Sequence, residues 1–187
     1  AKTAETVLTK QVEEGERDYR YLASVLEEIE RAESERDIAE IRQELTDTGF
    51  LRRRSDGKKE RRVEQKPMHF RSTAGLDIFV GKNNAQNDRL TLKDAMKRDW
   101  WLHAQKIHGS HVIIAGGEPD EQTLLEAASL AALYSRGREA GTVPVDYTMV
   151  RNVRKMPGGK PGMVVYTDYK TILVRPDEAL AEKLRVR

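Results

Sequence analysis

The stretch Asp99-Trp100-Trp101-Leu102-His103-Ala104-Gln105-Lys106-Ile107-His108-Gly109-Ser110-His111-Val112-Ile113-Ile114 decides the fold of this chain. It contains both tryptophans and three of the four histidines of the protein. Its aromatic and β-branched residues favour two strands, one over 99–104 and one over 110–115. We expect Gly109 and Ser110 to form the turn between them, because glycine and serine are common turn residues.

The sequence around this stretch predicts further strands and several helices. The strands are predicted over 69–72, 76–80, 143–153, 163–167 and 170–174, and the helices over 90–96, 120–134 and 177–184. A polar loop is predicted over 81–88, and the last two strands are predicted to form a hairpin. Strands outnumber helices and follow short turns, so we predict an α+β fold with a mainly antiparallel sheet and packed helices.

A long heptad helix precedes this body. Its apolar seam, in steps of four and three residues, consists of Leu8, Val12, Tyr19, Leu22, Leu26 and Ile29, with Gly15 as the one defect. A second short helix is predicted to begin at Ser34 or Asp37 and to end at Gly49. The seam needs a partner. Packing on its own body and dimerisation stay open, but we expect a coiled-coil partner helix from upstream in the same full-length protein.

The charge changes sign along the chain. Residues 1–45 carry seven Lys and Arg against 13 Asp and Glu, residues 46–70 carry eight against four, and residues 71–187 carry 18 against 14. The basic parts favour a polyanionic partner. From these changes we predict three parts: a coiled-coil arm over 1–48, a basic flexible linker over 49–66 and a folded domain over 67–187. The linker either grips phosphates or is merely solvated.

Composition excludes several classes of protein. Cysteine is absent, which excludes disulfides, thiolate catalysis and thiolate metal sites. No stretch approaches the roughly 18 apolar residues of a membrane span, and no signal peptide is recognisable. We therefore expect a cytoplasmic location and no insertion into a membrane.

The histidines raise the question of a metal site. His103, His108 and His111 could supply three zinc ligands, but their segment is not helical, and no Asp or Glu lies between residues 100 and 117 to orient them. Ser110 lacks the flanking glycines of a nucleophile elbow. The Gly-Gly-Lys that ends at Lys160 is followed by proline and lacks the rest of a phosphate-binding loop. We expect no enzyme activity, metal or cofactor.

Basic residues interleaved with aromatic ones are the remaining functional signal. Tyr147, Tyr166 and Tyr169 lie among basic residues, and Trp100 and Trp101 point to opposite faces of a strand, so that one is core and the other is a possible surface platform. Charge for phosphates and flat rings for bases are typical of RNA binding, although a solvated basic face stays open. The residues predicted to bind RNA are Lys82, Asn83, Asn84, Asn87, Arg89, Arg98, Lys106, Arg151, Arg154, Lys155 and Lys160.

Several motifs in order resemble the NFACT-R domain. They are Asp77-Ile78-Phe79-Val80-Gly81-Lys82-Asn83-Asn84-Ala85-Gln86-Asn87-Asp88, Trp101-Leu102-His103-Ala104, Gly109-Ser110-His111-Val112-Ile113-Ile114, Val143-Pro144-Val145-Asp146-Tyr147-Thr148 and Lys160-Pro161-Gly162-Met163-Val164. The resemblance covers about residues 67–176, and the acidic helix resembles the end of the coiled coil that precedes this domain. Nearly the whole chain is similar to the C-terminal part of bacterial RqcH-type ribosome quality-control factors, also described as fibronectin-binding protein A-like.

The resemblance implies an RNA-binding module of a factor that binds large ribosomal subunits obstructed by peptidyl-tRNA. Its implied partners are the RNA of the large subunit and tRNA, with alanine tRNA recruited for template-free alanine addition. Some members are assigned to the cell surface as fibronectin binders, so a fibronectin- or fibrinogen-binding adhesin module is the alternative. His108 stands where the family commonly has proline, and we expect the part of the N-terminal NFACT domain that handles tRNA to be missing. We therefore expect binding without alanine addition.

Overall fold

A computed structural model describes residues 1–55 and 61–187 of the chain. The chain divides into two compact units, one of Ala1–Val63 with Pro157–Lys160 and one of Glu64–Met156 with Pro161–Arg187. The three-part division stated above stays a prediction, and residues 56–60 of its linker lie outside the described residues. Over the described ranges, no helix has the length and apolar character that crossing a membrane requires.

The first unit contains two helices, α1 (Lys2–Arg31) and α2 (Glu35–Asp47). The Ser34 hydroxyl accepts a hydrogen bond from the Asp37 N–H at 3.2 Å and so begins α2. Gly49 follows α2 with a φ of 86°, which confirms it as the residue that ends the helix.

The two helices pack through a face of α1 that the heptad pattern did not predict. Tyr21 and Val25 are buried there, and the Tyr21 hydroxyl donates to Glu44 Oε2 at 2.5 Å. The predicted seam lies on the other side of α1, where Leu8 is 62% and Tyr19 is 75% exposed. A partner helix for that seam stays a prediction.

The predicted linker is bonded at its second end. Arg62 pairs with Asp47 at 2.8 Å, and the Val63 N–H donates to Gln43 Oε1 at 3.1 Å. This end of the linker is therefore not wholly solvated, because Arg62 and Val63 each bond to a side chain of α2.

The second unit contains a six-stranded antiparallel sheet of order β1-β2-β4-β3-β5-β8, which confirms the predicted α+β fold. Its strands are β1 (Met68–Arg71), β2 (Asp77–Val80), β3 (Trp100–Ala104), β4 (Val112–Ala115), β5 (Val143–Met149) and β8 (Lys170–Val174), and a separate ribbon pairs β6 (Val153–Lys155) with β7 (Val164–Tyr166). The helices are α3 (Asn84–Arg89), α4 (Glu121–Leu133) and α5 (Glu178–Leu184).

Strand alternation gives this sheet two covered faces. Leu102, Val112 and Ile114 face one core, which α4 and α5 contribute to through alanines and leucines. Trp101 and Ile113 face the second, smaller core on the opposite side. The tryptophans therefore point to opposite faces as predicted, but Trp100 is partly buried against the first core and is not a surface platform.

The turn between β3 and β4 lies earlier than predicted. The chain turns at Gln105 and Lys106, and Lys106 adopts a φ of 57°. Gly109 instead pairs with Ser135, and a Cβ at Gly109 would lie 2.8 Å from the Ser135 Cβ. Gly109 is thus required for a close approach of two backbones, a role that its turn-forming tendency concealed.

The polar segment over 81–88 is a helix start rather than a loop. Asn83 Oδ1 accepts from the Gln86 N–H at 2.8 Å and begins α3. The chain then continues into a π-helical turn over Leu90–Asp94, where a short helix over 90–96 was predicted. The prediction of a loop was wrong because Asn83, Gln86 and Asn87 bond to backbone N–H groups of the fold.

The predicted hairpin over 163–174 was also wrong. β7 pairs with β6 in the ribbon, whereas β8 pairs with β5 at the edge of the main sheet. The predicted strand over 143–153 is divided in the same way, because a 3₁₀ turn over Val150–Asn152 separates β5 from β6. The Thr148 hydroxyl lies 3.0 Å from the Thr167 carbonyl and 3.2 Å from that of Asp168, holding the chain where it passes from ribbon to sheet.

Candidate nucleic-acid interface

The π-helical turn and the β6–β7 ribbon lie side by side over the second core. Leu90 of the turn, Val150 just before the ribbon and Val153 of β6 bury their side chains with Trp101 and Ile113. Burying these apolar groups from water holds both segments on the sheet. The same packing leaves their outer sides to carry charge.

Six exposed cations follow these two segments, and we call them the basic strip: Lys93, Lys97, Arg98, Arg151, Arg154 and Lys155. Two backbone hydrogen bonds join the two segments that carry these cations. The Arg151 N–H donates to the Lys97 carbonyl at 3.2 Å, and the Val150 N–H donates to the Asp99 carbonyl at 2.9 Å. On β6, Val153 is buried in the second core while Arg154, the next residue, is exposed, as strand alternation requires.

Acidic neighbours offset part of this charge. Lys155 Nζ lies 2.6 Å from Asp88 Oδ2, and Asp88 also accepts from the Gly162 N–H at 2.7 Å. Asp94 is exposed within the π-helical turn. The cations outnumber these carboxylates, so the strip keeps a positive excess that suits a phosphate backbone.

The structure separates the predicted RNA-binding residues. Arg98, Arg151, Arg154 and Lys155 lie in the basic strip. Lys106 lies at the opposite end of β3 from Arg98, because one precedes the strand and the other follows it.

Two further predicted cations are paired elsewhere. Arg89 forms an ion pair with Glu64 and is partly buried. Lys160 belongs to the first unit, where its amine lies 3.4 Å from Asp18 Oδ1 and 5.4 Å from the centroid of the Phe50 ring. Lys82 is partly buried at the start of α3, and its N–H donates to Gln86 Oε1 at 2.9 Å.

The predicted asparagines are buried. Asn83 begins α3. Asn84 lies close to Gly162, because a Cβ added at Gly162 would lie 2.7 Å from Asn84 Oδ1. Asn87 is 2% exposed, and its Oδ1 accepts from the His111 N–H at 3.1 Å. Contact of these amides with RNA stays a prediction. The structure gives two of them structural roles: Asn83 begins α3, and Asn87 joins α3 to the segment that leads into β4.

His103 and His111 form a neutral pair beneath these segments. Their rings lie 5.5 Å apart, edge to face, and His103 stacks parallel to Trp101 at 5.7 Å. His111 Nε2 lies 3.1 Å from the Gly162 carbonyl and its Nδ1 lies 2.8 Å from the Thr91 hydroxyl. A neutral ring satisfies both contacts if Nε2–H donates to the carbonyl and Nδ1 accepts from the hydroxyl.

Burial keeps these rings uncharged. It lowers the pKa of His103 to about 4, with repulsion from His108 adding to the effect, and it lowers the pKa of His111 well below 6.5. Across residues 1–55 and 61–187, no group of three or more His, Cys, Asp and Glu side chains is placed to hold a metal ion.

A buried carboxylate fixes the ribbon to the sheet. Asp146 is 1% exposed and accepts hydrogen bonds from Gln105 Nε2 at 2.9 Å, from the Tyr166 hydroxyl at 2.6 Å and from the Thr171 hydroxyl at 2.6 Å. Burial and this bond to Asp146 raise the pKa of the Tyr166 hydroxyl above its usual value of 10. Three donors compensate the cost of burying the charge.

Tyr169 was not among the predicted site residues, although it lies between basic positions in the sequence. It is 49% exposed, and its ring meets that of Tyr166 at 5.0 Å. Of the three tyrosines that lie among basic residues in the sequence, Tyr147, Tyr166 and Tyr169, only Tyr169 is exposed.

Comparisons with known proteins agree with this picture of the chain. Residues 66–168 match the family described as the NFACT protein RNA binding domain, and residues 1–64 match the NFACT N-terminal and middle domains. The protein named Rqc2 homolog RqcH from Bacillus subtilis is 41% identical over 187 residues, which are 99% of this chain and 33% of that protein. Rqc2 homolog RqcH from Streptococcus pneumoniae serotype 2 is 44% identical over 179 residues, 94% of this chain and 32% of that protein.

A solved structure has the same fold. It is the C-terminal part of the fibronectin/fibrinogen-binding protein from Streptococcus suis, with a TM-score of 0.92 and 41% sequence identity, covering 99% of this chain and 74% of that chain. The chain spans about a third of the length of the curated relatives that it matches.

Proposed function

The chain belongs to the NFACT protein family, and from this membership we propose that it works as the RNA-binding module of a ribosome quality-control factor. The observation that carries the proposal is the agreement of two independent features. Residues 66–168 match an RNA binding domain, and within them the basic strip gathers cations from two segments that are distant in the sequence.

The binding mode that we propose is electrostatic. Lys and Arg side chains of the strip neutralise phosphates and release the counterions that surround RNA. A strip held by backbone bonds loses less conformational freedom on binding than a flexible tail, because the ribbon and the π-helical turn are already fixed. The module acts by binding alone, without a reaction of its own.

The salt dependence of RNA binding tests this function. We expect the purified chain to bind ribosomal RNA or tRNA at low salt and to lose affinity steeply as salt rises, with a logarithmic slope of about −0.7 for each phosphate neutralised on a single strand. Fluorescence anisotropy with labelled RNA gives this slope. Binding that is absent at low salt, or that is unchanged at high salt, would refute the proposal.

The partner that we propose for the full-length protein is the large ribosomal subunit obstructed by peptidyl-tRNA, together with alanine tRNA. The proposal rests on the similarity to the RqcH proteins, which this chain matches over about a third of their length. It requires a cytoplasmic location. Recovery of the full-length protein from cells, with its bound RNA sequenced, should yield large-subunit RNA and alanine tRNA. Recovery without either would argue against this partner.

A second candidate function follows from the solved structure. Its protein is named for binding fibronectin and fibrinogen, so an adhesin module at the cell surface is the alternative. Saturable binding of the chain to immobilised fibronectin, unaffected by competing RNA, together with export of the full-length protein in cell fractionation, would favour this alternative. We expect neither, because the basic strip suits a polyanion.

A further inference from the structure

Tyr169 ends a column of aromatic rings that rises from the second core to the surface. Trp101 is fully buried, its ring lies 4.6 Å from that of Tyr166, and Tyr166 meets Tyr169 edge to face at 5.0 Å. The Tyr166 hydroxyl is in turn held by Asp146 at 2.6 Å. The exposed ring of Tyr169 is thus supported from below by two fixed rings.

The backbone turns beside Tyr169. Asp168 has a φ of 52°, in the left-handed region, which Asp adopts more readily than most residues with a Cβ. The Thr148 hydroxyl lies within hydrogen-bond distance of the Thr167 and Asp168 carbonyls, at 3.0 and 3.2 Å, and holds the chain there.

Hydrogen bonds place Tyr169 next to the basic strip. The Thr167 N–H donates to the Asn152 carbonyl at 3.1 Å, and Asn152 Nδ2 donates to the Thr148 hydroxyl at 3.0 Å. Asn152 directly follows Arg151, and Tyr169 is two residues beyond Thr167. Tyr169 and Arg151 therefore lie on neighbouring segments of the chain, and the side chains of both are exposed.

We propose that Tyr169 stacks on an unpaired base of an RNA strand whose phosphates bind the basic strip. This inference rests on the proposed function and specifies its ligand as single-stranded RNA. Every base presents a flat face on which a tyrosine ring can stack, so this contact does not depend on the RNA sequence. Bases inside an RNA duplex are already stacked on their neighbours, so a duplex offers Tyr169 no such face except at its ends.

Exposed charges of both signs flank Tyr169. Asp168 precedes it and repels a phosphate group, whereas Lys170 follows it and attracts one. Arg151, on the adjoining segment, is a second exposed cation that attracts phosphate. An RNA strand that binds here would thus place phosphates at Arg151 and Lys170 and turn a base toward the uncharged ring of Tyr169.

Fluorescence of 2-aminopurine tests the stacking directly. The probe is a short single-stranded RNA with one 2-aminopurine, whose emission falls when the base stacks. We expect the full chain to quench the probe on binding. Tyr169→Ala and Tyr169→Leu should abolish the quenching and weaken binding of the single strand about 5- to 150-fold, the range known for base–aromatic stacking. Tyr169→Phe, which keeps the ring, should retain both.

Two controls separate stacking from other effects. Tyr19→Ala removes another exposed tyrosine, in the first unit, and should change neither quenching nor affinity. A long RNA duplex, in which terminal base pairs are few relative to internal ones, should bind Tyr169→Ala as it binds the unaltered chain, whereas Arg151→Glu should weaken both single strand and duplex. Retained folding of each variant is checked by thermal unfolding.

Each outcome decides the inference. Unchanged quenching and affinity in Tyr169→Ala would overturn the inference. Salt-dependent RNA binding by the unaltered chain would in that case still support the proposed function. An equal loss of single-strand and duplex binding in Tyr169→Ala would also overturn it. If the unaltered chain binds no RNA at low salt, the proposed function fails first and the inference fails with it.

Discussion

The backbone N–H of Arg151 donates a hydrogen bond to the carbonyl oxygen of Lys97 at 3.2 Å. This bond joins the turn after β5 to the turn before β3, which are far apart in the sequence. It uses backbone atoms alone, so both side chains stay exposed and available to a ligand. Backbone geometry thus brings these two cations of the basic strip together. Reversing the charge of either side chain should leave that geometry intact.

Asp146→Ala should destabilise the chain by about 2–4 kcal/mol. The carboxylate is buried and accepts from Gln105, Tyr166 and Thr171, so its removal leaves three donors without their acceptor. Urea unfolding measures the change. Asp94→Ala, which removes an exposed carboxylate, is the matched control and should stay within about 0.5 kcal/mol of the unaltered chain. Equal effects of the two variants would contradict the assigned role of Asp146.

Gly81→Ala should cost about 1–3 kcal/mol of unfolding free energy. A Cβ at Gly81 would lie 1.9 Å from Asn87 Oδ1, the atom that accepts from the His111 N–H. The added methyl group must displace a buried amide, and overpacking of this kind is destabilising. Gly141→Ala is the control, because a Cβ there meets nothing within 4 Å. Thermal unfolding that does not distinguish the two variants would show that Asn87 can move without cost.

Acid should destabilise the fold through His103 and His111. The pKa of His103 is about 4 in the folded chain and that of His111 is well below 6.5, whereas both are near 6.5 in the unfolded chain. Below pH 6.5 the unfolded state therefore binds more protons, so stability that is present above pH 6.5 is lost as pH falls toward 4.

The expected loss between pH 7.5 and 5.5 is about 1 kcal/mol for each of these two histidines. Urea unfolding at several pH values within this window avoids most carboxylate titration. His103→Gln should lose less stability across the window than the unaltered chain, whatever its stability at pH 7.5. Parallel pH profiles of the two proteins would mean that His103 is not held neutral by burial.

Much of the fold could be predicted from local sequence. Strand alternation correctly predicts that Trp100 and Trp101 point to opposite faces, and Ser34 and Gly49 correctly mark the ends of α2. These signals succeed because strand alternation and helix ends depend on a few neighbouring residues.

The errors have a common physical cause, which is bonding between distant residues. The amides over 81–88 look like a solvated loop until their partners are known, and one of these is the His111 backbone. The last two strands look like a hairpin, but Thr148 holds the chain between them and each pairs elsewhere. The predicted binding set shared this weakness, because composition identifies cations without showing that Lys106 lies away from Arg98.

The slope of RNA affinity against salt, measured for two charge-matched triple variants, tests the account most directly. The first reverses the strip at Lys97, Arg98 and Arg151 to Glu. The second reverses Lys106, Arg175 and Lys183 to Glu, which are exposed and lie outside the strip. Both change the net charge equally.

Five strip cations other than the paired Lys155 predict a logarithmic slope of about −3.5 for a single strand, at about −0.7 for each phosphate. We expect the first variant to bind more weakly and to reduce the slope by about 2, and the second to keep a slope near that of the unaltered chain. Equal slopes for the two variants would contradict the account, because binding would then follow total charge and not the basic strip.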